Sequence, residues 1–261
     1  MPSRTRIVGH RGAKALVDHE NTLHAFARTA EVGARWVELD VRRLGDGELV
    51  VFHDPVLDGK PLYAMGLDEL RGRSRDRGYR VPTLDEALRF CAGRLRVDIE
   101  LKELHTEACV VAAAKRHLQV GDYVYTSFHD RVIAGLKLLD PAAPAGLLLG
   151  RPDPRAPLLT RLTELFPVHR LQACGADFVG PYFRLLRLGF LQRVQAAGYP
   201  VWVWTVNDEA CMRRLLDAGV DAIITDRPDL GVRLREEKQP EALPAEAFEP
   251  FDDELVEQLA V

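Results

Sequence analysis

Residues able to perform acid–base or metal chemistry are concentrated between residues 7 and 54. They lie in four short motifs: His10-Arg11-Gly12, Glu20-Asn21-Thr22, Glu38-Leu39-Asp40 and His53-Asp54. β-branched and apolar runs accompany three of these motifs and predict short buried strands. Two histidines, an arginine and two alternating carboxylates at strand ends predict chemistry on an anionic substrate, assisted by a metal ion.

A second polar group lies further along the chain, in another run that predicts a strand. Asp98, Glu100 and Lys102 alternate in sequence, so their side chains lie on one side of that strand. If this side faces the same interior as Glu38 and Asp40, those two residues and Glu100 can share one divalent cation. Carboxylate oxygens without a thiolate favour Mg²⁺ or Ca²⁺ over zinc.

Each of these residues also has a purely structural interpretation. A single histidine at a strand end is more often a hydrogen-bonded structural residue. Glu38 and Asp40 alone are explained as ion-pair partners of Arg11 and Lys102, and Asp98 as an anchor for a neighbouring strand. Buried charges are costly unless they are paired or bind a metal, so the joint pattern favours a functional site.

The remainder of the chain predicts the elements that position these residues. Apolar strand-like runs alternate with segments of helical spacing in about eight strand–helix units, as in a (β/α)8 barrel. The last units include a predicted helix over Arg184–Ala197 and a strand over Val201–Val206. We predict an α/β fold, a (β/α)8 TIM barrel with a small insertion after the second strand region. A doubly wound open sheet is the alternative, but no GxGxxG follows the first strand.

Changes in composition divide the chain into three parts. Residues 1–240 are predicted to form the barrel domain. Within it, residues 54–82 interrupt the alternation with glycines, prolines and an arginine-rich patch, and they are interpreted as an insertion. Residues 241–261 are acidic and contain no Lys or Arg, which is typical of a solvated, partly disordered tail. A short packed helix near Asp252–Leu259 is the alternative for the tail.

The overall composition excludes several classes of protein. A net charge of −4 gives no basic excess for binding nucleic acid, and no apolar stretch is long enough to span a membrane. The first predicted strand leaves no room for a secretion signal before it. The four cysteines have no metal-ligand spacing and are predicted to be buried free thiols. We therefore expect a cytoplasmic protein without an integral membrane segment, and the oligomeric state stays open.

Taken together, the motifs resemble those of the glycerophosphodiester phosphodiesterases, metal-dependent TIM-barrel hydrolases of glycerophosphodiesters. HRG, ENT, ExDV and HD are specific in this order and spacing, although each is weak alone. The resemblance covers about residues 6–232 and continues through Pro82-Thr83-Leu84-Asp85-Glu86, Glu100-Leu101-Lys102, Ser127-Phe128, Trp204-Thr205-Val206-Asn207 and Gly219–Pro228.

The resemblance implies a role for each candidate residue. The implied roles are acid–base catalysis for His10 and His53, metal binding for Glu38, Asp40 and Glu100, phosphate contact for Arg11 and Lys102, and lining of the glycerol or leaving-group pocket for Phe128 and Trp204. It further implies that the segment 54–82 partly covers the barrel mouth. In the family, attack by the glycerol 2-hydroxyl gives a cyclic phosphate, which water then opens.

Two positions depart from the family pattern. His19 stands where a proline usually precedes the ENT motif, and Leu44 replaces a common threonine. Both lie outside the implied catalytic set, so they bear on loop conformation more than on activity.

The chemistry of the residues agrees with this resemblance. A phosphodiester gains negative charge in its transition state, which a divalent cation, Arg11 and Lys102 would stabilise. One histidine removes a proton while the other protonates the leaving alkoxide, and the sequence does not decide which does which. We predict metal-dependent hydrolysis of a small-molecule glycerophosphodiester to glycerol 3-phosphate and an alcohol.

Two other functions use the same residues. A lysophospholipase D-like enzyme, or another phosphodiesterase, would have the same site, and apolar residues of the insertion would then admit an acyl chain: Leu57, Leu62, Tyr63 and Met65. These residues are equally explained as a small core of the insertion itself. A non-catalytic phosphate-binding barrel is less favoured, because simple binding needs no acid–base pair.

Overall fold

The strands of the protein form a parallel barrel with a short antiparallel addition. The computed structural model describes residues 5–150 and 158–238. The strands in these ranges are β1 (Arg6–Gly9), β2 (Trp36–Arg43), β3 (Leu49–Val51), β4 (Val56–Leu57), β5 (Lys60–Pro61), β6 (Arg96–Leu101), β7 (Tyr123–Ser127), β8 (Ala145–Leu149), β9 (Phe178–Pro181), β10 (Trp202–Val203) and β11 (Ala222–Thr225).

Helices follow most of the barrel strands. They are α1 (Leu23–Glu31), α2 (Leu67–Arg75), α3 (Leu84–Cys91), α4 (Glu107–His117), α5 (Asp130–Leu139), α6 (Leu158–Leu165), α7 (Val168–Cys174), α8 (Phe190–Ala196), α9 (Glu209–Asp217) and α10 (Pro228–Lys238). Short 3-10 helices cover Lys14–Leu16, Leu62–Ala64 and Phe183–Leu185.

Eight parallel strands form the barrel, in the order β10-β11-β1-β2-β6-β7-β8-β9. The ring is nearly closed between β9 and β10 by two parallel bridges, Val179 to Val201 and Tyr182 to Trp204. The predicted (β/α)8 barrel is confirmed, and the open doubly wound sheet is excluded.

Alternation along β2 separates the outer core from the barrel interior. Val37, Leu39 and Val41 belong to the large apolar cluster shared with the surrounding helices. Since successive side chains point to opposite faces of a strand, Glu38 and Asp40 point into the barrel. The period of the sequence therefore determines which residues reach the site.

An apolar plug fills the part of the interior near the strand N-termini. Trp36 and Trp202, the first residues of their strands, meet edge to face with ring centroids 5.2 Å apart. Val8, Phe178 and Ile224 belong to the same buried cluster. Arg6 and Arg96 lie over these tryptophan rings, whereas His10, Glu100 and Lys102 lie at the other end of the barrel, where the strands finish.

Side-chain caps define the start of two helices next to the site. Thr22 accepts a hydrogen bond from the Ala25 N–H at 3.1 Å at the start of α1. A capping box precedes α3, because Thr83 accepts from the Glu86 N–H and the Glu86 carboxylate accepts from the Thr83 N–H. Caps of this kind each contribute about 1 kcal/mol to helix stability.

Between β2 and α3 the chain builds a small subdomain. β3 pairs with β2 in antiparallel register, and the hairpin β4–β5 and α2 follow. Its buried apolar residues form a cluster of their own: Leu44, Val50, Leu57, Leu62, Met65, Leu70 and Val81. Tyr63 is instead 75% exposed. Three of the four apolar residues considered for acyl-chain binding are thus packed inside the insertion.

The C-terminal half differs in detail from the sequence prediction. The prediction of a helix over Arg184–Ala197 is wrong for its first turns, since α8 begins only at Phe190. Leu188 and Gly189, just before it, have positive φ values of 51° and 70°, which a helix does not allow. The strand expected over Val201–Val206 is reduced to β10. Helix α7 was not predicted at all.

The structure also bears on the expectations for the cysteines and for a membrane-spanning helix. The four cysteines are free, as predicted, but Cys109 is exposed and Cys211 is half-buried, so their predicted burial is wrong. No helix within residues 5–150 and 158–238 has both the length and the apolar character needed to cross a bilayer. The predicted tail, 241–261, lies outside the described residues.

Candidate active site

A strained turn after β1 presents the first polar motif. Arg11 and Asn21 both have positive φ values, 52° and 57°, and the Asn21 N–H donates to the Arg11 carbonyl at 2.9 Å. A non-glycine residue in this conformation costs of the order of 1–3 kcal/mol and is concentrated at functional sites. The turn directs the Arg11 N–H to Glu38 Oε2 at 2.8 Å.

Three carboxylates from two neighbouring strands converge in the barrel interior. Glu38, Asp40 and Glu100 each place one oxygen within 4.8 Å of the other two. The register of β2 and β6 explains this cluster, since Asp40 lies opposite Glu100 and Glu38 lies opposite Asp98. All three members are at most 6% exposed.

Two cations lie against this cluster. The Lys102 Nζ is 2.6 Å from Glu100 Oε1 and 2.7 Å from Asp40 Oδ1. The Arg11 guanidinium lies 3.1 Å from Asp40 Oδ2 and also pairs with Glu20 at 2.7 Å. Ion pairs of the kind expected from a purely structural role of these carboxylates are therefore present. Two cations do not balance three carboxylates, however, so the cluster keeps an excess of negative charge.

Burial and mutual repulsion perturb the carboxyl groups in opposite directions. Burial, Asp40 and Glu100 raise the pKa of Glu38 well above its ordinary value. Burial also raises the pKa of Glu100, although Lys102 opposes this. For Asp40, burial is outweighed by Lys102 and Arg11, and its pKa is lowered. Glu38 and Glu100 therefore lose their protons at a higher pH than an ordinary glutamic acid does, and added positive charge would favour their ionised forms.

The donor set fits a divalent cation. Glu38 Oε1 is buried and accepts no hydrogen bond from any described residue, and three carboxylates face only two fixed cations. A buried, unpaired carboxylate oxygen is costly unless a cation or donor satisfies it. The ligands are all oxygen atoms, which Mg²⁺ and Ca²⁺ prefer. Glu38, Asp40 and Glu100 would hold the ion.

His10 is oriented by a partner from the other end of the chain. Its Nδ1 lies 2.6 Å from Asp226 Oδ1, and its Nε2 lies 4.0 Å from Glu38 Oε2. Burial alone would raise the pKa of Asp226, but its hydrogen bond with His10 outweighs this and lowers it. An ionised carboxylate only accepts, so Nδ1 carries the proton and Nε2 is free to act as a base.

His53 has a similar arrangement at the edge of the insertion. Its Nδ1 lies 2.7 Å from Asp54 Oδ1, and its carbonyl accepts from Arg42 Nε at 2.6 Å. Burial lowers the pKa of His53, against the attraction of Asp40 and the hydrogen bond to Asp54. In both histidines, therefore, a neighbouring carboxylate holds Nδ1 and orients the ring.

These groups line one cavity of about 400 Å³ at the C-terminal end of the barrel. Phe128 and Trp204 form its apolar side, with ring centroids 5.4 Å apart and nearly perpendicular planes. The Trp204 indole N–H donates to the Gly180 carbonyl at 2.7 Å, which fixes the ring. Eight of the nine predicted site residues line the cavity: His10, Arg11, Glu38, His53, Glu100, Lys102, Phe128 and Trp204. The ninth, Asp40, is fully buried and does not line it.

Several residues of the site were not assigned from the sequence. Asp226 and Asn207 hold His10, with Asn207 Nδ2 donating to Asp226 Oδ2 at 2.5 Å. Asn21 donates to Asp40 Oδ2 at 2.8 Å, and Asp54 holds His53. The motifs that contain these residues are part of the sequence analysis. The only sequence signal that could have indicated a role for them is a carboxylate available to each histidine. Asp98 accepts from Thr126 of the adjacent strand at 2.7 Å, in agreement with its interpretation as an anchor.

Known proteins share this fold and sequence pattern. A glycerophosphodiester phosphodiesterase of Caldanaerobacter subterraneus subsp. tengcongensis is 28% identical over 88% of this chain and 98% of its own length. The structure of a glycerophosphodiester phosphodiesterase from Agrobacterium tumefaciens C58 is 31% identical with a TM-score of 0.72, covering 88% of this chain and 99% of that one.

A third similarity concerns the fold. An Oleispira antarctica phosphodiesterase, solved in complex with the product sn-glycerol-3-phosphate, has a TM-score of 0.75 at 24% identity, covering 88% of this chain and 96% of that one.

Residues 10–230 match the sequence profile of the glycerophosphoryl diester phosphodiesterase family. The chain belongs to that family and is a phosphodiester-hydrolysing enzyme.

Proposed function

We propose that the enzyme hydrolyses glycerophosphodiesters to glycerol 3-phosphate and an alcohol by acid–base catalysis between His10 and His53. One observation carries this proposal: both histidines, each with Nδ1 held by a carboxylate, line the cavity that adjoins the carboxylate cluster. A site that only bound phosphate would not need two oriented imidazoles. The product bound in the Oleispira antarctica phosphodiesterase of the same fold supports the product named here.

The charge of the site suits a phosphodiester once a divalent cation is bound. Glu38, Asp40 and Glu100 would hold Mg²⁺ or Ca²⁺, which would withdraw electrons from the phosphoryl group and offset its growing negative charge. Arg11 and Lys102 lie beside the same carboxylates, where their positive charges would stabilise the phosphoryl oxygens. Phe128 and Trp204 would contact the carbon skeleton of the substrate.

The residues support a two-step reaction in which both histidines are regenerated. In the first step the glycerol 2-hydroxyl gives its proton to His10 Nε2 and bonds to phosphorus, while the bond to the alcohol breaks and the alcohol oxygen takes a proton from His53. In the second step water gives a proton to His53 and bonds to phosphorus. The ring bond to the 2-oxygen then breaks, and that oxygen recovers the proton from His10.

The domain organisation belongs to the same proposal. Residues 1–240 act as one barrel domain, and residues 54–82 are an insertion at its mouth. Pro55 lines the active-site cavity two residues before Leu57, which belongs to the packed cluster of the insertion. This placement supports a role for the insertion in substrate contact.

The test is a substrate panel assayed for glycerol 3-phosphate with and without EDTA. His10→Ala and His53→Ala should each lower kcat by roughly 10²–10⁴-fold, while His24→Ala, which changes an exposed histidine of α1, should not. EDTA should abolish turnover, and Mg²⁺ or Ca²⁺ should restore it. Near-normal kcat in either variant contradicts the histidine roles, and full activity in EDTA contradicts the cation.

A further inference from the structure

The two histidines of the active site are anchored to the barrel in different ways. Asp226, which holds His10, follows a different barrel strand and is itself held by Asn207. Asp54, which holds His53, is the next residue in the chain. Its side chain is 68% exposed and forms no other hydrogen bond or ion pair within residues 5–150 and 158–238. Asp54 therefore orients the His53 ring but does not fix this segment relative to the carboxylate cluster.

The side chain of Arg42 ties the His53 segment to the barrel. Glu38, Asp40 and Arg42 alternate along β2, so Arg42 also points inward, nearer to the end of the strand. Its side chain is 12% exposed and lines the active-site cavity. Its Nε donates to the His53 carbonyl at 2.6 Å. The His53 backbone is therefore bonded to the strand that carries two of the three carboxylates.

The Arg42 guanidinium is held in turn from the next strand of the barrel. Its Nη1 donates to Glu103 Oε1 at 3.0 Å, and Glu103 Oε2 accepts from the Arg43 N–H at 3.3 Å. Glu103 lies two residues after the end of β6, the strand that supplies Glu100. Because a planar guanidinium forms both bonds with fixed geometry, Arg42 connects His53 to both strands that supply the carboxylates.

The position of His53 matters most when it transfers its proton to the alcohol oxygen. A general acid works only within hydrogen-bond reach of the oxygen that it protonates. A displacement of about 1 Å can cost roughly 100-fold in rate. Loosening the His53 backbone would therefore slow the steps that use this imidazole and leave the carboxylate cluster unchanged.

We infer that Arg42 is a positioning residue for His53, the proposed acid, and that Glu103 keeps the Arg42 guanidinium in place. Arg42 acts through the backbone of His53, whereas Asp54 acts on its ring. This inference rests on the proposed function and adds to it the pair of residues that determines where the acid lies. Removal of the pair should therefore affect substrates whose leaving group needs a proton.

The test uses two esters of glycerol phosphate whose leaving groups differ in their need for a proton. Ethanolamine leaves glycerophosphoethanolamine as a strongly basic alkoxide unless its oxygen is protonated, whereas p-nitrophenol leaves the corresponding aryl ester as a stable phenolate. Because kcat/KM includes only the steps up to the first irreversible one, here release of the alcohol, it isolates the proton transfer from His53. A partly unfolded variant lowers both values equally, so the ratio of the two separates positioning from folding.

Arg42→Lys keeps the positive charge but cannot form both bonds. It should lower kcat/KM by about ten-fold or more for the ethanolamine ester and by less than about three-fold for the aryl ester. Glu103→Gln should have the same selectivity with a smaller effect. The double variant should be no worse than Arg42→Lys, because the two residues act as one unit. The control Arg43→Lys changes an exposed arginine that bonds to the His105 carbonyl and should leave both values unchanged.

The outcomes separate the inference from the function beneath it, with His53→Ala as the reference. A selective loss for the ethanolamine ester in His53→Ala but not in Arg42→Lys leaves the proposed function intact and overturns the positioning role. An equal loss for both esters in Arg42→Lys also overturns it, because Arg42 then acts on the phosphoryl group or on folding. If His53→Ala shows no selective loss, the proposed acid is wrong and the inference falls with it.

Discussion

Asp226→Asn tests whether His10 acts as a base in a defined tautomer. The carboxylate accepts on both sides, from His10 Nδ1 at 2.6 Å and from Asn207 Nδ2 at 2.5 Å. In the variant the new amide must direct its oxygen toward Asn207, since that neighbour is a donor. Its own NH₂ group then faces His10 Nδ1, which has to become an acceptor. The proton moves to Nε2, and the base is lost.

The expected magnitude follows from these contacts. A hydrogen bond to a charged group is worth about 1.5–3 kcal/mol, or about 10- to 150-fold in rate at 1.4 kcal/mol per tenfold. The loss of a correctly protonated base is worth roughly 10²–10⁴-fold. We expect kcat to fall by about 100-fold or more. Stability should change by about 1 kcal/mol or less, because the amide keeps a hydrogen bond to each neighbour.

Two measurements check this prediction. Steady-state kinetics gives kcat, and ¹⁵N NMR of the histidine rings reports which nitrogen of His10 carries the proton. A matched control is Asp122→Asn, which changes a half-exposed carboxylate before β7, at the opposite end of the barrel. A kcat within about three-fold of the wild-type value, or an unchanged Nδ1–H signal, refutes the reasoning.

Three more predictions concern protonation and packing. Asp54→Asn removes the hydrogen bond that raises the pKa of His53 and opposes the effect of its burial. His53 should then lose its proton at a lower pH, so the alkaline limb of the pH profile of kcat should shift to lower pH. An alkaline limb at the wild-type pH argues against His53 as the acid. The cation competes with the proton that the raised pKa keeps on Glu38, so titration calorimetry should show tighter binding at about pH 8 than at about pH 5.5, with proton release; equal affinities would contradict this. Gly9→Ala should destabilise the fold by roughly 1–3 kcal/mol, because an added Cβ would lie 2.6 Å from the Gly12 carbonyl oxygen. The control Gly72→Ala, whose added Cβ would have nothing within 4 Å, should raise the melting temperature slightly. Equal effects of the two substitutions on the melting temperature would exclude the close contact at Gly9.

The carboxylate cluster could be predicted from the sequence because it depends on period and strand order. Glu38 and Asp40 alternate with apolar residues, as do Asp98 and Glu100, so each pair must point away from the outer core. Consecutive strands of a barrel are usually neighbours. These two rules are enough to bring Asp40 beside Glu100, without knowledge of the exact register.

The residues that hold His10 could not be derived in the same way. Asp226 is next to His10 only because Gly9 pairs with Thr225, and a register between strands so distant in sequence has no local signal. The shortness of β10 and the late start of α8 have a similar origin. Positive φ values at Leu188 and Gly189 reflect the path of the chain over the barrel, which helical spacing does not reveal.

The pairing of β1 with β11 has a consequence for how the enzyme is made. His10, the proposed base, and Asp226, which orients it, follow the first and last strands of the barrel and are 216 residues apart in the chain. Bringing such distant segments together is entropically expensive and comes late in folding. A chain emerging from the ribosome would have its carboxylate cluster well before it has an oriented His10. Turnover would therefore begin only when the ring is complete, and partly made chains would bind the cation without hydrolysing substrate.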